Sequence, residues 1–160
     1  MTISEQIQAG ETVERAQRIL GQDHDRLHAL SLLIQKSASD GSALAAALEE
    51  LRTALVEHFA REEHLQALLA ILGSRSPEAP QAFVEILAEH ESILANVEEM
   101  VSQARSGTAV PAGLSAQAAM LTSFLGDHER RESLAMKAIL EPRPAPEERA
   151  GSLSADSPRP

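Results

Sequence analysis

The chain has 160 residues, a formal net charge of −10 and 2% aromatic residues; alanine and leucine dominate, which favours one helical domain with a substantial core over strands. It has no cysteine, which excludes disulfides, zinc fingers and iron–sulfur ligation, and its acidic surface with scattered basic residues repels phosphate and excludes nucleic acid as a partner. The opening residues MTISEQIQAGETVERAQ lack an apolar h-region, and no apolar run approaches the ~18 residues of a membrane span, so no membrane partner and a cytoplasmic location are expected.

Four amphipathic segments follow in order. The first predicted helix runs from Thr12 to Lys36, with Val13, Ala16, Leu20, Leu27 and Ile34 on one stripe, and the loop Ser37–Gly41 ends it. The second runs from Ser42 to Leu72, with Leu44, Leu48, Leu51, Leu55, Leu65 and Leu69 inward, until Gly73 and the loop SRSP stop it. Pro77 or Pro80 occupies the first turn of the third, which continues to Arg105 with Phe83, Ile86, Ile93, Val97 and Val101 inward. After the loop SGTAVPAG, the fourth runs from Leu114 to Leu140, carrying Leu121, Phe124, Leu125, Met136 and Ile139, and Pro142 ends it. No period-two stretch argues for a strand. Short loops make neighbouring helices antiparallel, so the expected fold is an all-α, up-down-up-down four-helix bundle over residues 1–141. Residues 142–160, rich in proline and polar side chains, form an expected disordered tail.

The chemistry lies in the histidines. His58/Glu62 and His128/Glu132 are two histidine–glutamate pairs at four-residue spacing, each on the apolar side of its helix. His24 and His90 add one inward imidazole on each of the other helices. His24 lies about 13 residues before the first loop and His58 about 17 after it; His90 and His128 lie about 13 and 15 residues into their helices. At ~1.5 Å per residue all four reach a common depth near the middle of the bundle. Both glutamates also point inward, and an unpaired buried carboxylate costs several kcal/mol. Four imidazoles and two carboxylates at one level form a site for two metal ions, with His24, His58, Glu62, His90, His128 and Glu132 as ligands. His28, at the edge of its stripe, is expected at a helix–helix boundary, and His64, turned away from His58, in solvent. The Glu-x-x-His spacing of ferritin-like sites and the zincin HExxH are both absent.

The segments GQDHDRLHAL, HFAREE, AEHESIL and DHERRE resemble the helices of the hemerythrin-like, or HHE, domain family over about residues 12–141. The resemblance implies a hemerythrin-like bundle around a non-haem di-iron centre: two Fe ions, one bound by His24 and His58, the other by His90 and His128, bridged by Glu62, Glu132 and an oxo or hydroxo group. Manganese or zinc would also fit imidazole and carboxylate. Oxygen-carrying members have a second histidine one turn after the first on the third helix, where this chain has Leu94, and an aspartate where it has Glu132. This chain is instead similar to branches with one histidine per helix and two bridging glutamates, which include bacterial iron–sulfur cluster repair proteins and an animal F-box iron sensor. The missing ligand leaves an iron position open, or filled by water, Glu63, Glu91 or Glu129, and counts against reversible oxygen carriage.

Three functional readings follow. One is a module that binds or senses a small diatomic or peroxide ligand (O2, NO or H2O2) in a pocket lined by leucines with Phe59 or Phe124. A redox or regulatory protein partner would then read the iron state, although the sequence carries no partner motif. The alternative is a di-iron oxidoreductase acting in peroxide disproportionation, NO reduction or iron donation to damaged clusters; the lack of tyrosine, tryptophan and cysteine argues against radical relays and thiol chemistry. The third is an iron store or sensor assembled when iron is available.

Overall fold

The computed structural model describes residues 3–72, 84–106 and 109–140. Among them it forms four long helices, α1 (Ile3–Lys36), α2 (Gly41–Leu72), α3 (His90–Arg105) and α4 (Leu114–Leu140), and no strand. The helices close a ring in which α1 packs on α2, α2 on α3, α3 on α4 and α4 on α1. No helix among the described residues is long and apolar enough to cross a membrane.

Local chemistry sets the ends of the elements. Asp40 caps α2: its Oδ1 accepts from the Ala43 N–H at 3.0 Å, and its carbonyl accepts from the Leu44 N–H at 2.8 Å. The loop before α4 turns on Gly113, whose φ of 87° favours glycine, and the Gly113 carbonyl accepts from the Gln117 N–H at 2.9 Å. Ser115 Oγ then donates to the Ala38 carbonyl at 2.6 Å, which ties α4 to the first loop.

Two helix boundaries differ from expectation. The first helix begins at Ile3 rather than Thr12, because Gly10 is the lone weak former in the added stretch and one glycine costs only about 1 kcal/mol. The third predicted helix is not continuous. Residues 84–87 are helical, Ala88 and Glu89 form a turn, and α3 starts at His90. The Glu89 N–H reaches back to the Ile86 carbonyl at 3.1 Å, a tight i−3 bond, before the regular ladder resumes from Ile93 to Glu89 at 2.9 Å. Glu89 itself keeps helical backbone angles, φ −78° and ψ −22°. The proposed proline start at Pro77 or Pro80, Gly73, the SRSP loop, Phe83 and the tail 142–160 with Pro142 lie outside the described residues, as do the side chains of Val13, Leu69 and Ile139.

The core has two apolar layers. The larger is built from Leu27, Leu30 and Ile34 of α1, residues Leu44 through Phe59 of α2, Ile93 through Ala104 of α3, and Leu114 through Leu125 of α4. The smaller joins Leu20, Leu65, Ala135 and Met136 with Ile86. α1, α2 and α4 each pass from one layer to the other, and α3 does so together with the helical segment 84–87 before it; the polar side chains His24, His58, Glu62, His90, His128 and Glu132 fall in the band between.

Phe124 departs from its expected inward place. It is 43% exposed and lines a groove of about 390 Å³ between α3 and α4 with Asn96, Met100 and Met120. The buried face of α4 is set by Leu121, Leu125, His128 and Glu132; at ~100° per residue Phe124 sits about 70° from its centre.

Leu48 is fully buried and Val56, on the same helix, is 48% exposed. Leu48→Ala should lower the unfolding free energy by about 2–5 kcal/mol, and Val56→Ala by less than about 0.5 kcal/mol, as read by urea denaturation. Equal effects would mean that α2 turns a different face to the core.

Candidate metal centre

Each helix brings its part of the polar band to the centre. His24 of α1 is half-buried, at 20% side-chain exposure, and His58, Glu62, His90, His128 and Glu132 are buried. His24 Nε2 lies 2.9 Å from Glu132 Oε2. His58 Nε2 lies 2.6 Å from Glu62 Oε1, and His90 Nε2 lies 2.9 Å from Glu62 Oε2. All six sequence-predicted residues therefore meet.

Their donor atoms form two groups, each with every atom within 4.8 Å of the others: His24, His58, Glu62 and Glu132, and Glu62, His90 and His128. Glu62 belongs to both. Glu132 belongs to the first alone, although the resemblance assigned it a bridging place. The second group thus has one protein donor fewer. Leu94, one turn after His90, is partly buried and packs against the larger apolar layer, so it supplies bulk and no donor.

Distance and alignment disagree across Glu62. The pairs with His58 and His90 are within ion-pair range, yet both Glu62 oxygens, both nitrogens of His58 and His90, and His128 Nε2 lack any properly directed hydrogen bond. Directional geometry decides whether a buried polar atom is satisfied. The Nε2 atoms of His58 and His90 face the two Glu62 oxygens at 2.6 and 2.9 Å without directed hydrogen bonds to them. Orphaned buried donors at this density cost about 1–3 kcal/mol each, and imidazole nitrogens with carboxylate oxygens match the ligand chemistry of iron, manganese and zinc. The residues fit a cation.

The electrostatics agree. Burial pushes the Glu132 carboxyl up to about 7, reinforced by the facing charge of Glu62. Burial works against ionisation of Glu62 too, but its contacts with His58 and His90 outweigh it and hold that carboxyl well below the usual range. For His24, burial opposes protonation, and the contact with Glu132 overcomes it and raises the pKa. Burial lowers that of His128, which favours the neutral imidazole that a metal requires.

An aromatic wall closes one side. Phe59 is buried and stacks parallel on His90, with ring centroids 3.7 Å apart and 4° between planes. It also lies 5.7 Å from His58 and 5.9 Å from His128. Phe124 has no part in it.

Sequence reasoning missed the carboxylates outside this ring. His128 Nδ1 donates to Glu89 Oε2 at 2.9 Å, and Arg131 grips Glu89 with two bonds of 2.7 and 2.6 Å. Arg131 holds the Glu89 carboxyl down to about 2, with help from His128. On the opposite side Asp23 Oδ2 accepts from Arg61 at 2.6 Å and lies 3.7 Å from His58 Nδ1. The sequence signal does not discriminate: an acidic residue directly precedes His24 and His90, but also His58, His64 and His128. Of the glutamates expected to complete coordination, Glu63 and Glu91 are exposed. Glu129 is half-buried, and burial raises its carboxyl. His28 and His64 are exposed; His28 lines a groove of about 350 Å³ beside Glu129, between α1 and α4.

The whole sequence carries the same signal. The family model described as Hemerythrin HHE cation binding domain matches residues 15–140. No curated protein and no solved structure matches the chain.

The facing carboxylates give a test without metal. Glu132→Gln should raise the melting temperature of the metal-free protein by about 2–4 °C for each kcal/mol of relieved repulsion and desolvation. A lower melting temperature in chelator would mean that the pair does not strain the bundle.

Proposed function

The chain belongs to the hemerythrin HHE cation-binding domain family, and from that premise we propose that it holds two iron ions and binds or senses a small diatomic or peroxide ligand at them. The observation that carries this reading is the pair of donor groups that share Glu62. One ion would be held by His24, His58, Glu62 and Glu132, the other by Glu62, His90 and His128. Iron, when bound, supplies redox change and Lewis acidity.

The residues around the ions define what else the site does. The second group has three protein donors and Leu94 beside it, so its ion keeps room for an added small ligand. Phe59 and the leucines of both layers exclude bulk water, which lowers the local dielectric and slows loss of an uncharged ligand. Two grooves of about 390 and 350 Å³ lie on the flanks of α4. Taking α3 with the 84–87 segment before it, each helix meets the two apolar layers in the opposite order from its predecessor, which supports an up-down-up-down bundle.

Anaerobic reconstitution with ferrous salt, metal analysis and optical spectra before and after exposure to O2, NO or H2O2 test the proposal. Two ions per chain and one stoichiometric adduct are expected. Sustained turnover of peroxide or NO would identify an oxidoreductase instead, and absence of bound ion would overturn the metal centre. His90→Ala should lose the second ion and keep the first, whereas Glu62→Ala should lose at least one; His28→Ala and His64→Ala should keep the full content. Ferrous ion at 100 times its Kd should add about 2.7 kcal/mol to the unfolding free energy, reversed by chelator.

A further inference from the structure

The two halves of the centre share a pattern beyond the ligands themselves. The α1 step Asp23–His24 and the Glu89–His90 step that opens α3 each place an acid directly before the histidine that joins the centre. The following helix in each case carries histidine, two residues, arginine and glutamate: His58, Arg61 and Glu62 on α2, and His128, Arg131 and Glu132 on α4. The contacts repeat with the pattern. The acid faces Nδ1 of the histidine on the next helix, Asp23 toward His58 and Glu89 toward His128. The arginine three residues after that histidine binds the same acid, Arg61 to Asp23 and Arg131 to Glu89. The glutamate at the fourth position crosses to the other half, Glu62 to His90 and Glu132 to His24.

We propose that Glu89 with Arg131 is a positioning pair that orients His128 through Nδ1 and so presents Nε2 to the centre, and that Asp23 with Arg61 holds the equivalent place at His58, 3.7 Å from Nδ1 and without a hydrogen bond to it. The inference rests on the metal reading above, but it concerns residues that neither the ligand pattern nor the family description assigns. The physical basis is the fixed relation between the two ring nitrogens. A carboxylate that accepts from Nδ1–H selects the tautomer whose Nε2 lone pair is free, and it locks ring rotation. A lone carboxylate on a surface helix would swing among rotamers. The arginine fork removes that freedom, because a planar guanidinium binds both oxygens at once.

The two clamps differ in closure. At Glu89 the fork is bidentate and the Nδ1 contact is 2.9 Å. At Asp23 a single arginine contact of 2.6 Å holds the acid 3.7 Å from Nδ1. The closed clamp lies behind the group with fewer protein donors, where His90 and His128 have one glutamate between them. Orientation of His128 therefore matters more there than that of His58 does in the four-donor group.

The experiment uses the full chain with 15N-labelled histidine. Long-range 1H–15N spectra of the metal-free protein report the tautomer of His128, and ferrous or cobaltous ion titrated against a competing chelator reports affinity. In the wild type, His128 should carry its proton on Nδ1. Glu89→Ala should shift it toward the Nε2–H tautomer and weaken one of two ions about 10–100-fold. Glu89→Gln, which keeps an acceptor oxygen, should retain the Nδ1–H form. Arg131→Lys, which keeps the charge without the fork, should weaken the same ion and guards against a Glu89→Ala chain that does not fold. Asp23→Ala should weaken the other ion by a smaller factor. Unchanged tautomer and affinity in Glu89→Ala and Arg131→Lys would overturn the proposal, as would loss of stability with no tautomer change. If the wild type takes up no ion, the metal reading fails, and the tautomer measurement alone still decides the clamp.

Discussion

Glu62 is the constraint around which this molecule is arranged. Its carboxylate is fully buried, faces His58 and His90 at 2.6 and 2.9 Å, and has no directed hydrogen bond. A charge in that position is tolerable only if opposite charge stands nearby. The apolar layers on either side supply the folding free energy and none of that compensation, so the band between them is a region of stored electrostatic cost. The family to which the chain belongs binds cations, and a cation is the species that turns this cost into stabilisation.

Rigidity and exposure divide between the helices. The loop ends of α2 and α4 are fixed by the Asp40 cap and the Ser115 contact, and the large apolar layer runs along most of α2. Grooves flank α4 on both sides, and Met120 and Phe124 stand open to solvent along one of them. The centre is thus anchored on α2, which gives Glu62 to both donor groups, and is completed by α4, which gives His128 and Glu132. The turn at Ala88 and Glu89 precedes α3, and the Glu89 carboxylate stands behind His128 at 2.9 Å.

Much of the site was legible because helical periodicity projects directly into space. Four-residue spacing placed His58 with Glu62 and His128 with Glu132 on one face, and counting residues from the loops brought all four histidines to one depth. The same reasoning failed at Phe124, where one face was assigned too broadly, and at the third helix, where a propensity pattern continued through the turn at Ala88 and Glu89. It missed Glu89, Arg131, Asp23 and Arg61 as a set, since arginines and acids on amphipathic helices normally read as solvated surface. Their pairing connects residues 38 and 42 positions apart, and no local pattern encodes such a distance.

The amino-acid sequence by itself determined the helical class, the inward stripes, the donor types and their common level, because each follows from composition and a 3.6-residue period within a single segment. Only the tertiary structure decided which histidine shares which glutamate, that Glu62 serves both groups while Glu132 serves one, and which acid stands behind which imidazole. Those relations depend on the rotation of each helix about its own axis and on its offset along its neighbours, which packing of the two apolar layers fixes.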